Sequence, residues 1–230
     1  MSVDIKLNCI ERGSGKPLFL LHGNGESSDY FVNQIEAFSR CFRVIAVDTR
    51  GHGKSPRGTV PFTLSQFSDD LKSLMDRLEI ARAHILGFSD GGNIALIFAL
   101  KHPKMVEKLV LNGANLYPSG VRLGVQLPIV LGYAAAVAAS LFDKKAVSKR
   151  ELLGLMVKEP HLTAEQLSSI SVPTLVIAGK HDMIKDSHTR SIAAAIPNSR
   201  LCIIPGDHFI ASKESRRFNR EVLDFLVERI

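Results

Sequence analysis

The sequence predicts an α/β domain built on a mostly parallel sheet. Short β-branched or leucine-rich runs recur along the chain, and patterns of helical spacing fall between them. Two of the runs, Arg43-Val44-Ile45-Ala46-Val47 and Pro173-Thr174-Leu175-Val176-Ile177-Ala178, are apolar without alternation, as strands covered on both faces are. At 230 residues, with 45% hydrophobic and 23% charged side chains, the chain fits one large globular domain and excludes disorder and disulfide-stapled miniproteins.

In chain order, strands are expected at 5–10, 18–21, 44–47, 84–87, 109–112, 174–178 and 201–204, giving a sheet of about seven or eight strands with helices on both faces. Between the third and fourth, residues 63–80 carry Leu64, Phe67, Leu71, Leu74, Met75 and Leu78 at helical spacing behind a Thr63 cap. Residues 91–101 are apolar almost all round, which predicts a buried helix ended by His102-Pro103. The last helix, 216–230, sets Phe218, Val222, Phe225, Leu226 and Ile230 on one side.

One segment breaks the rhythm. Residues 116–171 have no strand signal, and 123–142 contain no charged residue, a length that invites a membrane-spanning reading. A single crossing would place strands of one sheet on opposite sides of a bilayer. The expectation is therefore no membrane span but a helical cap, 116–171, inserted within a single domain of 1–230, with its apolar side turned toward a pocket.

The formal charge of +6 permits attraction to polyanions, but the lysines and arginines fall in separate clusters without interleaved aromatics. A solvated basic surface is expected, with no nucleic-acid partner. Cys9, Cys41 and Cys202 follow no C-x-x-C spacing and cannot all pair, which fits buried thiols in a reducing compartment. Charged residues interrupt the first fifteen positions, so no signal-peptide core is visible there and a cytoplasmic protein is expected. The oligomeric state is not legible.

The strongest chemical signal is Gly87-Phe88-Ser89-Asp90-Gly91-Gly92, a G-x-S-x-G string between a predicted strand and a buried helix. A serine on that turn presents its hydroxyl at the carboxyl end of the sheet. The amide of Asp90, at a helix amino terminus, faces a developing oxyanion. Asp182 and His208 each follow a strand end, in Gly179-Lys180-His181-Asp182 and Pro205-Gly206-Asp207-His208, so base and orienting acid fall at the same sheet edge as the serine. A second oxyanion donor is expected in His22-Gly23-Asn24-Gly25, from the Asn24 amide, with His22 tying the loop down.

With these residues in place, the chain resembles the α/β-hydrolase superfamily over nearly its whole length. Asp48-Thr49-Arg50-Gly51-His52-Gly53-Lys54-Ser55 is similar to that family's structural D-x-R-G-x-G-x-S loop. The stretch from Gly87 to Asn93, followed by Leu109-Val110-Leu111-Asn112-Gly113-Ala114-Asn115, looks most like the biphenyl hydrolase-like, or valacyclovirase, branch, whose members hydrolyse esters, particularly of amino acids. The chain departs from the family in its shortness, with a start at the family's second strand and a compact cap, which leaves the substrate open.

The resemblance implies ester hydrolysis through an acyl-enzyme, with Ser89, Asp182 and His208 as triad, the Asn24 and Asp90 amides as oxyanion hole, a small-molecule ester as partner, and no cofactor or metal. The Asp90 side chain is a candidate for a substrate ammonium, although a carboxylate in a first helical turn is also favoured by the helix dipole. Carbon–carbon bond hydrolysis or lactone opening would use the same residues, and the fold also serves as a non-catalytic ligand receptor. His181-Asp182 and Asp207-His208 are metal-ligand types, but neither supplies an i, i+4 helical set. The remaining histidines show no ligand spacing and are expected on loops or at the surface.

Overall fold

Along the strands that read as continuous apolar runs, successive side chains enter two different cores. In β2 (Pro17–Leu21), Phe19 and Leu21 join one cluster, and Leu18 and Leu20 the other. The period of two thus divides buried residues between two helical layers, because both faces of the sheet are covered. The computed structural model describes residues 4–228.

The sheet has seven strands in the order β1-β3-β2-β4-β5-β6-β7. The others are β1 (Cys9–Arg12), β3 (Arg43–Val47), β4 (Ala83–Phe88), β5 (Val106–Asn112), β6 (Thr174–Gly179) and β7 (Ser199–Ile204). Only β1 is antiparallel, pairing with β3 from Cys9 opposite Val47 to Arg12 opposite Val44. One layer holds α2 (Leu64–Arg77), α3 (Asp90–Lys101), α6 (Ala164–Ser168) and α7 (Asp186–Ala195). The other holds α1 (Val32–Phe38), α8 (Ile210–Lys213) and α9 (Ser215–Val227). Between β5 and β6, α4 (Leu123–Ala139) and α5 (Lys145–Lys158) form a helical hairpin ahead of α6.

The Thr63 hydroxyl accepts from the Gln66 amide, which caps α2. The last helix ends at Val227, and the final two residues of its expected span lie outside the described residues. The first strand is displaced from its expected position, 5–10, to Cys9–Arg12. Ile5 and Leu7 do pack in the core, but side chains take the backbone there before the ladder begins: Arg77 Nη2 donates to the Leu7 carbonyl at 2.9 Å and the Asn8 amide donates to Ser55 Oγ at 2.8 Å, while the Asn8 carbonyl accepts from the Asp48 amide at 3.0 Å, at the edge of the β1–β3 pairing. Cys41, expected buried, is exposed; His84 and His188, expected on loops or the surface, are buried in β4 and α7, and His52 lies on a loop as expected but is buried there.

Arg50 explains the loop after β3. Its guanidinium is fully buried, donates to Asp70 at 2.7 and 2.6 Å, and reaches Asp4 at 2.7 Å. Removing one partner from such a group strands a buried charge, a loss of about 3–5 kcal/mol. In the same loop, Asp48 accepts from the amides of Ser28 and Lys54 at 2.8 and 2.9 Å. The loop that follows β2 is thereby pinned beside the end of β3.

Candidate active site

The sheet order changes direction at β2, which lies between β3 and β4, and ligands of open α/β sheets bind at the carboxyl ends of strands beside such a switch. Leu21 pairs with Gly87, so the loop 22–26 and the turn at Ser89 emerge side by side. On the other flank, Gly179 pairs with Ile204, which brings the loops carrying Asp182 and His208 together.

Ser89 has φ 53 and ψ −120, in the left-handed region that a residue other than glycine rarely occupies. The turn is held by its surroundings. The Ser89 amide donates to the Asn112 carbonyl at 2.8 Å, and the Ser89 carbonyl accepts from the Gly92 amide at 2.8 Å. A Cβ on Gly87 would run into the Gly91 carbonyl, and one on Gly91 into the Leu21 carbonyl. Two glycines therefore let α3 start against the strand ends, and the serine is turned outward from the sheet edge.

His208 and Asp182 form a buried pair, with Nδ1 of the ring 2.7 Å from Oδ1 of the acid. Asp182 Oδ1 also accepts from the Ile184 amide at 2.8 Å, which fixes the carboxylate and assigns the ring proton to Nδ1. Nε2 is then a bare acceptor, buried and without a hydrogen-bond partner among the described residues. Phe88 supports the ring, with centroids 4.8 Å apart. Asp207, the neighbour of His208 in sequence, is exposed and turns to the Phe209 amide and Lys213, and Asp186 pairs with Arg190.

The loop after β2 is tied at both sides. His22 Nδ1 lies 2.7 Å from the Gly23 carbonyl and Nε2 accepts from the Thr49 amide at 3.0 Å; burial lowers its pKa to about 4, so the ring is neutral. A Cβ at Gly23 would stand 3.1 Å from the Ser89 Cβ, which places this loop against the serine. Among the described residues, no group accepts a hydrogen bond from the backbone amide of Asn24 or of Asp90.

Two acids that the sequence reading passed over lie here. Glu26 accepts from the Gly23 amide at 3.2 Å, and burial pushes its carboxyl up to about 7, opposed by that bond and by the nearby His208. Glu159, which accepts from the Leu64 amide at 2.8 Å, is raised by burial and by the charge of Asp90. Asp90 is itself buried, and burial raises its pKa against hydrogen bonds from Asn24 Nδ2 at 2.9 Å and Asn93 Nδ2 at 3.3 Å.

Ser89, Asp90, Asn115, Met156, Glu159 and Met183 line a small cavity, in which the centre of a water molecule can move through about 10 Å³. The insertion, whose apolar side was expected toward the pocket, contributes Val121, Met156 from α5 and Glu159 beyond it, whereas its most apolar helix, α4, contributes no lining residue. Leu127, Leu131 and Leu123 of α4 are exposed instead. Among the described residues there is no cluster of three or more His, Cys, Asp or Glu that could hold a metal ion, and no helix long and apolar enough to cross a membrane.

The geometry combines a strained serine turn, an oriented histidine and a loop in which the Asn24 amide is free, and residues 16–153 match the alpha/beta hydrolase fold family. The chain belongs to that family. Among relatives of this alpha/beta hydrolase, RutD of Caulobacter sp. (strain K31), provisionally named a carbamate hydrolase, is 32% identical, with 91% of this chain and 90% of the relative covered. The 2-hydroxy-6-oxononadienedioate/2-hydroxy-6-oxononatrienedioate hydrolase of Cupriavidus pinatubonensis is 29% identical over 97% of this chain and 91% of its own. Among solved structures, the enol-lactonase of Burkholderia xenovorans LB400 superposes with a TM-score of 0.79 at 26% identity, covering 97% of each chain.

Proposed function

We propose that this alpha/beta hydrolase is a serine hydrolase that cleaves small carboxylic esters, amino-acid esters among them, through an acyl-enzyme. The observation that carries the reading is the buried Asp182–His208 pair, whose free Nε2 lies at the same sheet edge as the strained Ser89. In this mechanism Ser89 Oγ attacks the ester carbonyl while His208 Nε2 takes its proton. Asp182 holds the tautomer and stabilises the imidazolium. The amides of Asn24 and Asp90 receive the oxyanion, each such donor contributing about 2.7–4 kcal/mol. The imidazolium returns the proton to the leaving alcohol, and a water activated by His208 releases the acid.

The amino-acid preference rests on Asp90. A fixed negative charge beside a developing oxyanion opposes catalysis on a neutral ester, and burial already disfavours that charge. A substrate ammonium between Asp90 and Glu159 would offset both acids. A second reading, lactone opening or carbon–carbon cleavage by the same three residues, is supported by the names of the relatives and structural neighbours.

Treatment with a fluorophosphonate followed by peptide mass spectrometry tests the reading. The expected adduct lies on Ser89 and is lost in Ser89→Ala. An unlabelled protein would indicate a ligand receptor, and an adduct elsewhere would overturn the assignment. A panel of p-nitrophenyl esters, aminoacyl esters, carbamates, lactones and vinylogous diketones then separates the substrate classes.

A further inference from the structure

The outer face of α4 is apolar, uncovered and bordered by cations. Only Ala136 of this helix is buried. Leu127 and Leu131 are 51% and 63% exposed, and Leu141 and Phe142, just beyond the helix, are 75% and 93% exposed. The opposite face is already occupied by α5. Leu153 lies 3.4 Å from where a Cβ on Gly132 would stand, and Gln126 Nε2 donates to the Met156 carbonyl at 3.1 Å. The helix is thus held lengthwise on the molecular surface with its leucines in solvent, where a contiguous apolar patch marks a contact site.

The charges around the patch indicate what covers it. Lys144, Lys145 and Lys149 follow Phe142, all exposed, and none joins an ion pair among the described residues. Arg122 stands exposed at the other end. A second copy laid antiparallel across this face would set each lysine cluster against the other's Arg122, and a parallel copy would set lysines against lysines. Asp143 is the lone acid between Arg122 and Arg150, and its carboxylate already accepts from the Lys145 amide at 2.8 Å. An apolar face rimmed by uncompensated cations instead complements an anionic lipid surface, with leucines in the acyl boundary and lysines at the headgroups.

We propose that the α4–α5 hairpin is a membrane-surface docking element that lays the leucine face of α4 on anionic bilayers. At 17 residues α4 is about 25 Å long and held along its length by α5, so it lies in the interface without crossing it. The docking holds whatever bond the active site cleaves.

Flotation of the full chain with vesicles of phosphatidylcholine, alone or with about one-third phosphatidylglycerol, tests the proposal. The protein is expected to float with the anionic vesicles at low salt and to be released several-fold as salt rises to about 0.3 M. Leu127→Asp with Leu131→Asp should lower the bound fraction at least tenfold, with an unchanged circular-dichroism melt. Should that variant fail to fold, Lys144→Glu with Lys145→Glu, at exposed positions, supplies the same test. Protein that stays with neither vesicle overturns the proposal, as does equal binding to both. A dimer by sedimentation velocity that Leu131→Asp dissociates would assign the face to a second copy and also overturn it.

Discussion

Replacing Gly113 by alanine should disable the histidine without touching it. Gly113 follows β5 with φ +64, and a Cβ there would stand 2.7 Å from His208 Cε1 and 2.9 Å from Nδ1. Ordinary contact begins near 3.4 Å, so the ring must retreat by about 0.7 Å or the β5 end must shift. The left-handed backbone adds about 1–2 kcal/mol of strain for any residue with a Cβ. Thermal unfolding should therefore fall by about 2–8 °C for a domain of this size. The larger effect is positional, because a displacement approaching 1 Å at a catalytic group costs on the order of 10²-fold in rate. The assay is the second-order rate of fluorophosphonate labelling at Ser89, which needs no knowledge of the substrate, alongside a thermal melt. A variant that melts lower but labels at the wild-type rate would show that His208 need not sit over Gly113, and would refute the geometry of the pair.

Three further outcomes follow from the same site. Asp182→Asn should lower kcat by about 10⁴-fold through loss of the correct tautomer, whereas Asp207→Asn, at an exposed residue paired with Lys213, should leave it near wild type; the reverse order in an ester assay would reassign the acid. Asp90→Ala should lower kcat/KM at least tenfold, about 1.4 kcal/mol, on an aminoacyl ester but not on its des-amino analogue; equal losses on both would make Asp90 a structural helix residue. Glu26 titrates at about 7 in the folded protein against an ordinary 4.5, so the fold retains a proton that the unfolded chain has released between those values. Its stabilising contribution is full below the unfolded value and is lost as pH rises through about 7. Urea unfolding of wild type and Glu26→Gln from pH 4 to 8 should show wild type losing stability relative to the variant, and a flat or opposite difference would remove Glu26 from its buried setting.

Placement is most legible in the sequence for residues that follow immediately on a strand. Ser89, Asp182 and His208 each stand just past an apolar run, and the sheet register brings those strand ends together. Glu26 carries a weaker local signal, an acid three residues beyond Gly23. Its perturbation comes from burial, which the fold alone creates, and is opposed by the Gly23 amide and by His208, which is distant in sequence. Glu159 belongs to the insertion, and only the folding of α5 over the sheet edge brings it beside Asp90. The strand expected at 5–10 illustrates a different limit. Alternation of Ile5 and Leu7 reports which side chains are buried, but where the backbone joins a ladder depends on partners distant in sequence, Arg77, Ser55 and Asp48. The same holds for α4, whose composition records apolar content and says nothing of whether anything covers it.

Asn24 has one side-chain amide nitrogen, and both of its protons are spoken for. One goes to Asp90 at the start of α3, the other to the Leu152 carbonyl of α5, each at 2.9 Å. The residue whose backbone amide stands free beside Ser89 is thus latched to the roof of the cavity. Roof and serine turn are thereby mechanically linked through one side chain: a displacement of α5 that broke the Leu152 bond would cost Asn24 one of its two partners and leave it held by Asp90 alone. A substitution that loosens α5 over the sheet edge should therefore also be felt at the Asn24 amide, through the single nitrogen that ties the two together.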